Sequence, residues 1–164
     1  MPFLAHFGIG LATKRFFPQI PLWALLISTM VLDILFNIFI FAFWLSHGLF
    51  MAAVWSASAM LITLLITTLL NSKKTQNTQN FYVSMIIGLL VFSHWVLDFI
   101  GWPAGLPLLF NDSLTIGLGV FSTGIGALAM EIGIFVPGLV IYIHYMIKIK
   151  KTKVIDDHSS EIES

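Results

Sequence analysis

The chain has 164 residues, of which 58% are hydrophobic and only 10% charged, and its formal net charge is zero. Ordinary soluble domains carry about a quarter charged residues, so this chain lacks the polar side chains needed to cover a water-facing surface. A neutral chain with no extended basic face also has no nucleic acid as an expected partner, and the absence of cysteine excludes disulfides and thiolate metal sites.

In chain order, residues 3–13 are apolar and read as a short helix. Lys14 and Arg15 follow that stretch instead of preceding it, which is the wrong order for a cleaved signal peptide. Four longer apolar stretches come next, over 21–44, 47–70, 81–100 and 123–147. Each is long enough to cross a hydrocarbon core of about 30 Å at about 1.5 Å per residue. Pro21 suits a first helical turn, and Ser46 and Ser122/Thr123 are placed to cap the second and fourth spans. Trp23, Trp44 and Trp102 fall near span ends, where amphipathic rings favour the headgroup region.

Between the spans, 71–80 is polar and reads as an exposed loop, whereas 101–122 is apolar and rich in Gly and Pro. The second pattern predicts an ordered loop folded over the bundle. The expected fold is thus all-α: a polytopic membrane helix bundle of about four transmembrane helices plus the short N-terminal helix. It forms a single integral membrane domain over 1–153, followed by a disordered acidic tail over 154–164. Membrane lipids are its expected surroundings.

All eight basic residues fall in three clusters: Lys14/Arg15, Lys73/Lys74, and Lys148, Lys150, Lys151 and Lys153. With four spans, the three clusters share one side, which the positive-inside bias assigns to the cytoplasm, C-terminus included. The expected location is a bacterial inner membrane.

Ionisable groups inside a span cost several kcal/mol on insertion scales, so each needs a reason. Asp33, Asp98 and Glu131 lie in spans, and His47, His94 and His144 lie in spans or at their ends. His94 and Asp98 are spaced i, i+4 and share one face of the third span near its outer end. His47 opens the second span at that same end, and Glu131 is about two turns into the fourth. Asp33 is deeper in the first, with Asn37 one turn further out on the same face. Lys14 and Arg15 mark the inner end of the short first helix, which puts His6 in the outer half as well.

Three carboxylates with no intramembrane Lys or Arg must be protonated or must hold a cation. Imidazoles with carboxylates are a usual ligand set for zinc, manganese or iron. The bland readings are that His144 is an interhelical hydrogen bonder, that Asp33 alone is a proton-relay residue, and that the glycines at Gly8–Gly10 and Gly124–Gly126 serve close helix packing.

The segments that carry these groups are PFLAHFGIG, STMVLDILFN, SHGLFMAAVW, SHWVLDFIGW and GLGVFSTGIGALAMEIGIF. In this order they resemble the YdjM-like family of predicted membrane-bound metal-dependent hydrolases, which is distantly similar to the zinc-dependent phospholipase C and nuclease group. The resemblance implies His6, Asp33, His47, His94 and Asp98 as metal ligands and Glu131 as a further ligand or base. It departs from the family where Leu35, Phe36 and Asn37 replace a second acidic residue. It departs again where Ala127 precedes Glu131 in place of a histidine, so one or two divalent ions, zinc foremost, are expected. The function implied is a membrane-embedded hydrolase of a phosphoester or lipid-like substrate, with Glu131 or Asp33 as catalytic base. The alternatives are a metal- or proton-coupled transport component, or a structural membrane protein.

Overall fold

The computed structural model describes residues 3–39, 42–70, 77–110 and 113–162. Its α-helices are α1 (Phe3–Phe16), α2 (Leu22–Ser28), α3 (Val31–Ile38), α4 (Phe43–His47), α5 (Leu49–Leu70), α6 (Asn77–Gly101) and α7 (Gly124–Ile162). The chain is all-α in architecture, as the hydropathy pattern implies. Among the described residues the one strand pair, β1 (Leu106–Pro107) against β2 (Thr115–Ile116), is antiparallel with Leu106 opposite Ile116.

Three helices among the described residues are long and apolar enough to cross a membrane: Leu49–Leu70, Asn77–Gly101 and Gly124–Thr152. Of these α6 is the axis of the bundle, since half of its apolar stretch is buried, against 6% for α5 and 11% for α7. The outer faces of α5 and α7 present large apolar residues such as Leu61, Leu65, Val140 and Ile143, as a helix against lipid does.

The expected first span over 21–44 is not one rod. It is broken into α2, α3 and α4, and the pieces of seven and eight residues are too short to span. The break follows from Ser28 and Thr29, whose hydroxyls donate back to the Ala24 and Leu26 carbonyls at 2.6 and 2.8 Å. Met30 then leaves helical geometry (φ −111°, ψ 0°). Broken backbone at membrane depth is tolerated only inside protein; Ser28, Thr29 and Met30 are all buried.

Several smaller expectations shift as well. Residues 77–80 of the expected loop belong to the first turn of α6, with Asn80 buried, while 71–76 lie outside the described residues. Ser46 does not cap the second span: it lies within α4, and its hydroxyl donates to the Phe43 carbonyl. Thr123 does cap α7, accepting the Gly126 N–H at 3.0 Å. The helix α7 runs to Ile162, into the acidic stretch.

The loop between α6 and α7 packs on the bundle. Leu106 is fully buried in a core cluster with Leu32, Ala52, Val91 and Trp95. Backbone bonds tie the loop down, from Phe50 N–H to Leu108 O at 3.0 Å and from Leu118 N–H to Phe99 O at 2.8 Å. Gly105 turns the chain into β1 with φ of 73°, a region that a side chain disfavours.

Helix α1 lies along α7 in the same direction, with Ala5 opposite Glu131 and Gly8 opposite Ile134 and Gly138. The approach is backbone to backbone. A Cβ on Gly8 would stand 2.6 Å from the Ile134 carbonyl oxygen, and one on Gly138 would collide with the Gly8 carbonyl. Gly10 packs similarly on α2, where an added Cβ would stand 3.3 Å from the Leu25 carbonyl oxygen. The small-residue reading therefore holds for Gly8 and Gly10. It fails for Gly124, which has open space around it.

Candidate metal centre

Five side chains from four helices meet beside α6. The i, i+4 pair His94 and Asp98 comes from α6, His47 from the end of α4, Asp33 from α3 and His6 from α1. Nε2 of His47 lies 3.5 Å from Asp33 Oδ1 and 3.2 Å from Asp98 Oδ2. Nε2 of His94 lies 3.5 and 3.3 Å from the same two oxygens. These four atoms form a closed ring in which nitrogen and oxygen alternate. The other oxygen of Asp98 faces His6 Nε2 at 3.7 Å, and the His6 and His94 rings lie 3.9 Å apart.

The outer nitrogens of the two central imidazoles set their tautomers. Nδ1 of His94 is 2.6 Å from the carbonyl oxygen of Thr29. A carbonyl only accepts, so this Nδ1 carries a proton, and in the neutral ring Nε2 presents a lone pair. That carbonyl is free because the chain breaks there; in an unbroken helix it would accept the N–H of Asp33. Nδ1 of His47 is 2.7 Å from Ser46 Oγ. The Ser46 hydroxyl hydrogen is already given to the Phe43 carbonyl at 3.1 Å, so Ser46 accepts from His47. In the neutral rings both Nε2 lone pairs therefore point at carboxylate oxygens.

With neutral rings, electron pair against electron pair at this separation is repulsive unless something positive lies between. A proton on each Nε2, making imidazolium–carboxylate pairs, or a metal ion among the four atoms relieves it; Asp33 Oδ1, His47 Nε2, His94 Nε2 and Asp98 Oδ2 are all buried without a hydrogen-bond partner. A buried group left so costs about 1–3 kcal/mol, and more when charged. Lys14, the cation nearest in sequence to His6, is engaged elsewhere, its Nζ donating to the Pro18 and Ile20 carbonyls at 2.7 Å. Two overlapping donor groups, His6/His94/Asp98 and Asp33/His47/His94, each have ligand atoms within 4.8 Å of one another and could hold a metal ion.

Glu131 joins neither group. Its Oε2 accepts the backbone N–H of Ala5 at 2.8 Å, in the first turn of α1 and one residue before His6. His144 is exposed on α7, some 20 Å along the helix from Glu131 at about 1.5 Å per residue. The sequence reading missed the residues that hold the ligands in place. Besides Thr29 and Ser46 these are Trp95, whose Nε1–H donates to the His47 carbonyl at 2.9 Å, and Trp55, which donates to that of Leu45 at 2.7 Å. Adjacency is the only signal in the sequence for Ser46 and Trp95, which each neighbour a histidine.

Comparison with family models, with curated proteins and with solved structures gives no match.

Proposed function

We propose that this chain is a membrane-embedded metal-dependent hydrolase of a phosphoester or other lipid-like substrate, related to the YdjM-like group. One observation carries the reading: four buried electron-pair donors, from His47, His94, Asp33 and Asp98, face one point with nothing protein-derived between them. A tetrahedral zinc site with ligands at about 2.0–2.1 Å would have ligand-to-ligand edges of about 3.3–3.4 Å. Four of that figure's six edges are 3.2–3.5 Å here.

A divalent ion in such a place supplies Lewis acidity, polarising a phosphoryl or acyl oxygen and easing deprotonation of water. The chain's own residues do the remaining work. Ser46 and the Thr29 carbonyl hold the two imidazoles with Nε2 inward, the arrangement by which outer partners orient metal-binding histidines. Asp33, the least enclosed of the five, is the carboxylate that an incoming water reaches and the favoured proton acceptor. Glu131 acts at one remove, by fixing the end of α1 that carries His6. The basic clusters at 14–15, 73–74 and 148–153 support an inner-membrane orientation with the centre in the outer half.

The test is the metal content of detergent-purified protein. The parent should carry at least one divalent ion, His94→Ala and Asp98→Ala should each lose it, and His144→Ala should keep it. A parent that neither carries nor takes up metal would end the hydrolase reading. Metal uptake with ion flux in vesicles and no turnover of phosphoester lipids would move the assignment to transport.

A further inference from the structure

The cluster is sealed on every side but one. His6, His47, His94 and Asp98 are each at most 1% exposed, whereas the Asp33 side chain keeps 15%. Towards the loop the closure is aromatic. The Phe43 ring lies parallel to the His47 imidazole at 4.7 Å, and Trp102 stacks on Phe43 at 5.4 Å. A cavity of about 230 Å³ beside Phe43, Trp44, Trp102 and Pro107 lies beyond this wall, and none of the five donors lines it. Towards α7 the His6 ring covers His94, and behind it α1 meets α7 without side chains in between.

The open edge belongs to α3. Ile34 is 47% exposed and Ile38 is 65% exposed, and with exposed Asn37 they form an i, i+3, i+4 face directly beside Asp33. Asn37 stands one turn from Asp33, its Nδ2 donating to the Asp33 carbonyl at 2.8 Å. His94 lies seven residues before the end of α6 at Gly101, so the cluster is about 10 Å below that end along the helix axis. At that depth an exposed pair of isoleucines meets hydrocarbon.

We infer that the centre is entered sideways from the bilayer across α3, and that its ligand is a membrane amphiphile. Its polar phosphate- or ester-bearing head meets Asp33 and Asn37 while its alkyl chains lie over Ile34 and Ile38. The chemistry of the head rests on the metal-centre reading above; the path rests on burial alone. A water-borne ligand coming through the loop would have to part Phe43 and Trp102 from His47 first.

The chain's lack of cysteine gives a direct test. Asp33→Cys and, separately, Asn37→Cys each place one thiol on the path. Each full-length variant is reconstituted in phosphatidylcholine vesicles and treated with N-cyclohexylmaleimide or with a sulfonated maleimide present on both sides. The apolar reagent concentrates in hydrocarbon and should label both thiols faster by about tenfold or more, relative to their rates on a water-exposed thiol. In the Asp33→Cys chain, a further Asn37→Trp should slow labelling, and Ala104→Trp, which fills the loop cavity, should not. Equal labelling by the charged reagent, no labelling at either position, or slowing by Ala104→Trp alone would overturn the lateral path. The metal content of the parent is read separately. A parent without metal that still labels from the bilayer keeps the path and loses only the chemistry of the head.

Discussion

Replacing Ser46 by alanine removes one oxygen from a fully buried position and leaves every donor atom of the cluster in place. The Nδ1–H of His47, now 2.7 Å from that oxygen, would have no partner. An orphaned buried donor costs about 1–3 kcal/mol, and the imidazole can recover part of this by moving its proton to Nε2 or by turning, either of which withdraws the lone pair from the cluster. Loss of an orienting partner typically weakens metal binding about 10–100-fold, which is about 1.4–2.7 kcal/mol at 1.36 kcal/mol per decade. The two routes to the magnitude agree. The assay is a competition titration of zinc against a chromophoric chelator on detergent-purified protein. Ser84→Ala is the matched control, because Ser84 is equally buried but its hydroxyl donates within its own helix, to Phe81 O at 2.8 Å. Zinc affinity should fall in Ser46→Ala and hold in Ser84→Ala. Unchanged affinity in Ser46→Ala would show that Ser46 does not orient His47, and an equal fall in both would reduce the effect to general loosening of the bundle.

Gly138→Ala should destabilise the protein by about 1–3 kcal/mol, since the new methyl group collides with the Gly8 carbonyl, whereas Gly133→Ala meets nothing within 4 Å and should be neutral or slightly stabilising; thermal unfolding in detergent separates them. Hydrogen exchange should find the amides of Phe50, Leu108 and Leu118 protected by the loop's backbone bonds, and exchange as fast as a free loop would deny the packed lid. Single cysteines at Asn77 and Thr152 should react with an impermeant thiol reagent only after cell lysis, and labelling of both on intact cells would reverse the proposed orientation.

The gathering of His6, Asp33, His47, His94 and Asp98 was legible because helix period and apolar length together fix depth. An i, i+4 pair seven residues before a span's end and a histidine at another span's start must sit at similar levels. The break of the first expected span was not legible. Hydropathy averages over 21–44 and sees no Gly or Pro near Thr29, and the only mark is a Ser-Thr pair that bonds back to its own helix. Its purpose shows only in three dimensions, where the freed carbonyl meets His94 from 65 positions away. Glu131 was noticed as a membrane carboxylate, but its partner is a backbone N–H, which no side-chain pattern can announce. Likewise Gly8 and Gly138 each look like ordinary small residues until the helices that carry them are laid together.

The docking of α1 on α7 also bears on the order of biosynthesis. His6 leaves the ribosome well before the backbone groove that receives α1 and the carboxylate that receives Ala5 N–H, which belong to a helix 126 positions later. Until α7 is in the membrane, α1 has no seat and the His6 side of the centre stays open. Contacts between such distant parts of a chain close late, so completion of the donor set awaits the insertion of α7. A chain stopped before α7 would hold the His6 side of the centre less firmly, and full coordination would mark the molecules in which α7 has been inserted.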